Sequence, residues 1–184
     1  LMEDLVGGSS AGMHAGKWIK NKNFSGSEPI NETLFSAKAE ISDMLSNADS
    51  NNTSSISNIK SKLWNTISTN MGFERSSEGL QNAAQELEKL EVEIHKEELV
   101  DGNMIMNTNL MDILELKGLI SISRASIIAA QSRSESRGSH QRSDFQETIN
   151  ETMLKHTLVD SSMQINWLPL RKSGSGTWIL TPTN

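Results

Sequence analysis

Residues that could do chemistry concentrate in the stretch SRSESRGSHQRSDF, residues 132–145, which holds three arginines, a glutamate, a histidine and an aspartate. Within it Ser136, His140 and Asp144 follow one another at intervals of four residues and are the residue types of a serine-hydrolase triad. Gly138 is expected to break a helix between them, and no nucleophile-elbow motif surrounds the serine. Because triads are usually assembled from distant segments, the pattern does not favour a hydrolase.

A metal site is the second kind of chemistry to consider. His140, Asp144 and His156 are the candidate ligands, but no H-x-x-x-H spacing supports them, and the chain contains no cysteine. The sequence therefore predicts no metal ligand, and it assigns no catalytic residue within this chain.

The arginines themselves are the more informative feature. Arg137 and Arg142 flank Gly138, and Glu135 and Asp144 lie close by in the sequence. The guanidinium group presents five donors in a rigid fork that suits bidentate bonds to carboxylates. We therefore expect a buried or interfacial ion-pair network here.

Composition excludes several classes of function. The chain has 184 residues, a net charge of −6 and a sequence pI near 5.2, which argues against a nucleic-acid surface. The absence of cysteine excludes disulfides and thiolate metal sites. No apolar run reaches the ~20 residues that a membrane-spanning helix needs. The first residue is Leu1 and lies within an expected helix, so we expect a fragment of a longer protein.

The N-terminal segment, residues 1–20, carries a stripe of small residues. Gly8, Gly12 and Gly16 are four apart, and on a helix they let another backbone approach closely. A phosphate-binding loop is the alternative, but the segment lacks the P-loop lysine and the G-x-G-x-x-G order. Residues 21–29 read as a linker because they are rich in Asn, Ser, Gly and Pro.

Four amphipathic helices are predicted beyond the linker. Apolar residues recur at helical spacing in the segments 30–48, 56–71, 80–94 and 110–127. The fourth helix is apolar on most sides and is expected to be the most buried, with the other three packed around it. Ser76 or Ser77 is the expected N-cap of the third helix, and the fourth is expected to begin near Asn107–Asn109. Glu86–Lys89 and Glu93–Lys96 are expected local charge pairs.

The later segments MQINWLPL and TWIL have short β-type runs around a turn, and we expect a hairpin or two irregular strands that pack Trp167 and Trp178 near the bundle. The predicted fold class is mainly α: a three- to four-helix, spectrin-repeat-like bundle with a small irregular β-containing C-terminal tail.

Several motifs together resemble one enzyme family. ESRGSHQRSDF followed by KHT is similar to the signature E-S-R-G-A-H-x-R-x-D-Y/F and K-H-T in the C-terminal domain of succinate dehydrogenase and fumarate reductase flavoprotein subunits. Upstream, NTNLMDILELKGLISIS and MGFERSSEGLQNAAQELEKL resemble two further segments of that domain. LMEDLVGGSSAG is similar to the segment at the end of the flavin-binding domain. The resemblance covers nearly the whole chain.

The resemblance implies an oxidoreductase that interconverts succinate and fumarate by hydride transfer at FAD, with the catalytic residues upstream of Leu1. The fragment alone is then expected to be inactive and free of FAD. The implied partners are an iron–sulfur subunit, a membrane anchor and a dicarboxylate substrate, with no nucleic acid. The implied location is cytoplasmic, peripheral on the inner face of the cell membrane through the partner subunits.

The resemblance also implies a division into domains. Residues 1–24 would be the last helix of a flavin-binding domain, 25–135 the helical bundle, and 136–184 an arginine-rich cap with a small C-terminal extension. Leu1 matches a leucine whose helix points at the flavin ring in relatives and is the candidate cofactor-binding residue. The residues implied as structural inter-domain contacts are Glu135, Ser136, Arg137, His140, Arg142 and Asp144.

Departures from the signature leave alternatives open. Ser139 replaces the usual alanine, and Phe145 stands where tyrosine is common. L-aspartate oxidase has a similar segment but usually lacks the equivalents of Arg142 and of Lys155–Thr157, and adenylylsulfate reductase is more distant. A standalone helical interaction module is the alternative from another functional class. Succinate oxidation and fumarate reduction are not separated by this region, because flavin potential and quinone partner set the direction.

Overall fold

A computed structural model describes residues 2–20, 22, 28–172 and 178–179. By its contacts the chain divides into two compact units, Leu1–Asp43 and Met44–Asn184. The domain boundaries predicted from the sequence, at 24/25 and 135/136, stay a prediction.

The first unit contains α1 (Met2–Ile19) and most of α2 (Glu28–Ser46). The small-residue stripe of α1 is helical, and the space around Gly8, Gly12 and Gly16 is open. The segment that could have been a phosphate loop is therefore part of a helix.

The apolar stripe predicted for α2 is helical, but its burial was predicted wrongly. All side chains from residue 30 to residue 40 are exposed, including those of Ile30 and Leu34. Only from Ile41 onwards do some stripe residues become half-buried. A 3.6-residue period shows that one side of a helix is apolar, but it does not show which element covers that side.

The second unit is built on three helices, α3 (Ile56–Asn70), α4 (Ser77–His95) and α5 (Thr108–Ser132). They pack on one another, and the contacts of α4 with α3 and with α5 are larger than the contact between α3 and α5. The apolar core formed by these helices and the connection after α4 consists of Ile56, Ile59, Leu63, Leu80, Ala83, Leu87, Leu90, Ile94, Leu99, Leu110, Ile113, Leu116, Ile120, Ile127 and Ala130. The stripes predicted for α3, α4 and α5 thus supply most of the core, and the fold class is confirmed.

α5 has more buried residues than α3 or α4, as its apolar sequence predicted, although Met111, Leu119 and Ile122 are exposed. The reason is that α3 and α4 cover only one side of α5, where Ile113, Leu116 and Ile120 lie.

Short strands connect and follow the helices. β1 (Glu74–Arg75) pairs in parallel with β2 (Gln141–Arg142), and α6 spans Asn150–Met153. β3 (Lys155–Val159) and β4 (Ile165–Pro169) form an antiparallel hairpin in which Thr157 pairs with Trp167. β5 (Arg171–Lys172) pairs with β6 (Trp178–Ile179). The predicted β-containing tail is confirmed, whereas the predicted packing of the Trp178 side chain lies outside the described residues. Across the described residues, no helix combines the length and the apolarity that crossing a membrane requires.

Asn107 fixes the start of α5. Its buried side chain accepts a hydrogen bond from the Leu110 amide at 2.9 Å and donates to the carbonyls of Asp101 and Asn103 at 2.7 and 2.8 Å. We expect Asn107→Ala to lower the free energy of unfolding by about 1–2 kcal/mol, because an N-cap and two loop bonds are lost together. Urea unfolding measures the change. The control Asn82→Ala, on the exposed side of α4, should change it by less than about 0.5 kcal/mol, and an equal loss in both variants would contradict the capping role.

Candidate functional site

The site begins at the C-terminal end of α5, where the last carbonyl groups of the helix lack intrahelical donors. Arg142 caps this end, since its Nη1 donates to the Ala130 carbonyl at 3.1 Å, which also accepts from the Arg133 amide, and to the Arg133 carbonyl at 3.2 Å. His140 Nε2 lies 3.3 Å from the same Arg133 carbonyl. A cation here also complements the negative end of the helix dipole. The polar stretch therefore caps the helix that precedes it.

A tight turn brings these side chains back under the helix end. Arg137 and His140 exchange backbone hydrogen bonds of 2.8 and 2.9 Å around Gly138, whose φ is +57°. Glycine adopts this left-handed conformation without steric cost. Buried Ser136 braces the loop, because its Oγ donates to the Phe145 carbonyl at 2.8 Å and accepts from the Arg142 amide at 2.9 Å.

The same loop is joined to the start of α4. Arg142 pairs with Arg75 in the β1–β2 ladder, and its Nη2 donates to Ser77 Oγ at 2.8 Å. Asp144 accepts from the Ser77 amide at 2.7 Å and from Arg142 Nε at 2.8 Å. Together these bonds hold the pKa of Asp144 well below its usual range. Arg142, only 3% exposed, thus links the C-terminal end of α5 with the N-terminal end of α4.

Glu135 is the centre of a second set of ion pairs. Its side chain is 0% exposed, and it accepts from Arg133 Nη2 at 2.6 Å, Arg137 Nη2 at 3.0 Å and the Ile149 amide at 2.9 Å. Burial opposes ionisation of this carboxyl, but the bonds from Arg137, Arg133 and Ile149 outweigh it and lower the pKa to about 2. Glu135 is therefore a buried, ionised carboxylate with two cations bound to it.

Arg133 carries the network into the C-terminal hairpin. Its guanidinium donates to the carbonyls of Met153 and Lys155 at 2.6 and 2.8 Å and to Thr157 Oγ1 at 3.0 Å. Trp167 on β4 receives two cations, since Lys155 Nζ lies 4.0 Å and the Arg133 guanidinium carbon 5.7 Å from its ring centre. Trp167, which was expected to pack near the bundle, thus contacts Arg133 at the end of α5.

His140 lies among arginines. Its Nδ1 is 2.9 Å from Arg75 Nη1. Burial lowers the pKa of this histidine, the bond to the Arg133 carbonyl opposes that effect, and the charges of Arg75, Arg142 and Arg133 lower it further. His140 is therefore neutral at pH 7.

This geometry does not support the two chemical alternatives. Ser136, His140 and Asp144 each bond to other groups and not to one another, so no nucleophile is paired with a base. Within the described part of the chain, no three His, Asp or Glu side chains are placed to share a metal ion.

The structure brings together Glu135, Ser136, Arg137, His140, Arg142 and Asp144, whose role as inter-domain contacts stays a prediction. Sequence reasoning missed the other half of the network, which is Arg75, Ser77, Arg133 and Thr157. Arg133 lies in the polar stretch, Arg75 and Ser77 lie in the MGFERSSEGL segment, and Thr157 lies in KHT, but no spacing in the sequence joined these segments into one network. The candidate flavin contact Leu1 lies outside the described residues.

Comparisons with known proteins agree with this arrangement. The family described as "Fumarate reductase flavoprotein C-term" matches residues 60–176, which include the whole polar network. The succinate dehydrogenase flavoprotein subunit of Coxiella burnetii is 26% identical over 176 residues, covering 96% of this chain and 29% of the relative. The fumarate reductase flavoprotein subunit of Mycobacterium tuberculosis is 31% identical over 119 residues, covering 62% of this chain and 20% of the relative. The chain thus spans less than a third of the length of these curated relatives.

Solved structures show the same fold. A variant of the E. coli quinol fumarate reductase flavoprotein superposes with a TM-score of 0.70 at 21% identity, over 85% of this chain and 27% of that chain. A quinol-fumarate reductase containing menaquinol superposes with a TM-score of 0.68, also at 21% identity, over 93% of this chain and 28% of that chain. The helical arrangement and its terminal hairpin are therefore those of a known domain.

Proposed function

Because this chain belongs to the fumarate reductase flavoprotein C-terminal family, we propose that it forms the C-terminal helical domain of a flavoprotein subunit that interconverts succinate and fumarate. The observation that carries the proposal is the family match over residues 60–176, which spans α4, α5 and the polar network. Curated relatives named for succinate dehydrogenase and for fumarate reductase support the reaction class. FAD supplies the hydride chemistry in this proposal.

We assign no flavin site to the described residues. The glycines of α1 lie on an exposed helix with open space around them, and the surface clefts next to Trp64 on α3, Ile30 on α2 and Val92 on α4 are wide open. The side chains of the network bond to one another and to backbone groups. No step of hydride transfer is therefore assigned to them, and the flavin and the dicarboxylate belong to the remainder of the proposed subunit.

The role proposed for this chain is structural. Buried Glu135 and Arg142 hold the network rigid from within, while Arg137 and Asp144 keep 31% and 30% of their side chains exposed. Those exposed donors and acceptors are the groups that can bond to the flavin-binding and capping domains. Ser136 and His140 serve by fixing the loop that presents them.

The proposed assembly follows from the same family membership. An iron–sulfur subunit takes electrons from the flavin, and a membrane anchor holds the complex at the inner face of the cell membrane. The solved relative described as a quinol-fumarate reductase with menaquinol supports a quinone-linked complex. The flavoprotein itself is then cytoplasmic and peripheral.

Purification of the native polypeptide from its source tests the proposal. We expect an intact mass far above the 20.3 kDa of this chain, absorbance near ~450 nm from bound flavin, and turnover of succinate or fumarate. The matched control is the 184-residue chain expressed alone, which should have neither flavin nor turnover. A native mass near 20.3 kDa without flavin would instead identify a standalone helical module and overturn the proposal.

A further inference from the structure

The hydrogen bonds of His140 fix its protonation state from both sides. Arg75 Nη1 can only donate, so His140 Nδ1, 2.9 Å away, must accept and carries no proton. The Arg133 carbonyl can only accept, so Nε2, 3.3 Å away, must carry the proton. The imidazole is therefore neutral, with the Nε2–H tautomer, and it bridges β1 and the C-terminal end of α5.

Arg75 depends on this bond. Its Nε is buried without a hydrogen-bond partner, and among the described residues His140 Nδ1 is the one side-chain acceptor that its guanidinium reaches. Protonation of His140 Nδ1 would make it a hydrogen-bond donor, and it would then face the Nη1 donor of Arg75. The bond would then be lost, and within the described part of the chain no other side-chain acceptor of the Arg75 guanidinium would replace it.

The charged groups around His140 would not stabilise a positive charge on its imidazole. Arg75 faces it from β1, Arg142 from β2 and Arg133 from the end of α5. The neighbouring carboxylates are already engaged, Glu135 by Arg133 and Arg137, and Asp144 by Arg142 and Ser77. Glu74, also on β1, is exposed.

We propose that His140 is a pH-sensitive latch that joins β1 to the C-terminal end of α5, and that protonation of its imidazole opens this joint. The latch lies beside the bonds by which Arg142 links the C-terminal end of α5 to the start of α4. Its opening therefore loosens the cap of α5 without dissolving the apolar core. The inference rests on the chain's own contacts and is independent of the enzyme activity proposed above.

The direction of the pH effect follows from linkage. The pKa of His140 is lower in the folded protein than the ordinary 6.5 that applies when the chain is unfolded. The unfolded state therefore binds more protons below about pH 6.5, and the contribution of the latch is complete above that pH and is lost as the pH falls. For one proton, the folding equilibrium constant decreases by up to about tenfold per pH unit within this window.

The test uses the full 184-residue chain at pH 7.5 and at pH 5.5. We expect amide exchange in the β1–β2 pair, corrected for intrinsic rates, to become at least about fivefold faster at the lower pH, with little change in the β3–β4 pair. His140→Gln, which cannot titrate in this range, should abolish the difference. His156→Gln, which removes an exposed histidine of β3, should leave it intact.

A second measurement keeps the proposal falsifiable if His140→Gln does not fold. Nitrogen-15 NMR of the unsubstituted chain should show an unprotonated Nδ1 and a protonated Nε2 at pH 7.5, with a midpoint below 6.5. A protonated Nδ1 at pH 7.5, or a midpoint at or above 6.5, would overturn the latch. Equal acceleration of exchange in β1–β2 and β3–β4 would overturn it as well, because it would indicate global destabilisation.

Discussion

Glu135→Ala should lower the free energy of unfolding by about 3–5 kcal/mol, because it leaves two arginines near a buried position without their carboxylate. Arg133 and Arg137 both donate to Glu135, whose side chain is fully buried. Removing one partner of a buried ion pair costs far more than the pair itself contributes, since the remaining charge keeps its desolvation penalty. Urea unfolding at pH 7 measures the loss.

Glu86→Ala is the matched control for this variant. Glu86 accepts from Lys89 at 2.9 Å on an exposed side of α4, so its removal should cost less than about 1 kcal/mol. A loss below about 1 kcal/mol for Glu135→Ala would contradict the central place given to Glu135.

The acid sensitivity of the same carboxylate adds an independent check. The pKa of Glu135 is about 2 in the folded protein, against an ordinary value of 4.5. Between these values the unfolded state binds more protons, so the stabilisation by Glu135 is present above about pH 4.5 and is lost as the pH falls towards 2. The Glu135→Ala variant should therefore be less stable at pH 7 but show a smaller decrease between pH 5 and pH 3.

Arg142→Lys should lower the free energy of unfolding by about 2–4 kcal/mol although it retains the charge. The guanidinium of Arg142 bonds to Asp144 and Ser77 at the start of α4 and also to the Ala130 carbonyl at the end of α5. A lysine ammonium is a single point of donation and does not reach both helix ends at once. Urea unfolding gives the total loss, and amide exchange should locate it at the last turn of α5 and the first turn of α4.

Arg124→Lys makes the same chemical change outside the network. Arg124 donates to Glu91 at 2.8 Å with about 40% of both side chains exposed, so we expect a loss below about 0.5 kcal/mol. Equal losses in the two variants would mean that the fork geometry of Arg142 contributes nothing beyond its charge.

Local sequence patterns determined most of the helices of this protein. The stripes in α3 and α4 predicted the buried positions Ile59, Leu63 and Leu87, because packing on one side of a helix leaves a 3.6-residue period in the sequence. The caps were visible in the same way. Ser76 accepts from the Gly79 amide at the start of α4, and Asn107 begins α5 where the sequence placed its start.

Charge pairs could be predicted only where the partners share a helix turn. Glu86 pairs with Lys89 as predicted, but Glu93, which was expected to pair with Lys96, binds Lys62 of α3 at 2.8 Å instead. Spacing along one helix cannot reveal a competing cation on the neighbouring helix. Trp64, part of the predicted stripe of α3, is exposed, because helical spacing does not show which of the stripe residues a neighbouring helix covers.

The sequence and the tertiary structure each determined a different part of the polar network. The sequence by itself determined which residues could form it, because Glu135, Arg137, His140, Arg142 and Asp144 lie within ten residues of one another around a glycine turn. Only the tertiary structure decided what the network connects, since the bonds that join it to α4 and to the hairpin run to groups far along the chain. Ser77, Arg75 and Thr157 reach the network only because α4 packs on α5 and the hairpin folds back on the helix end.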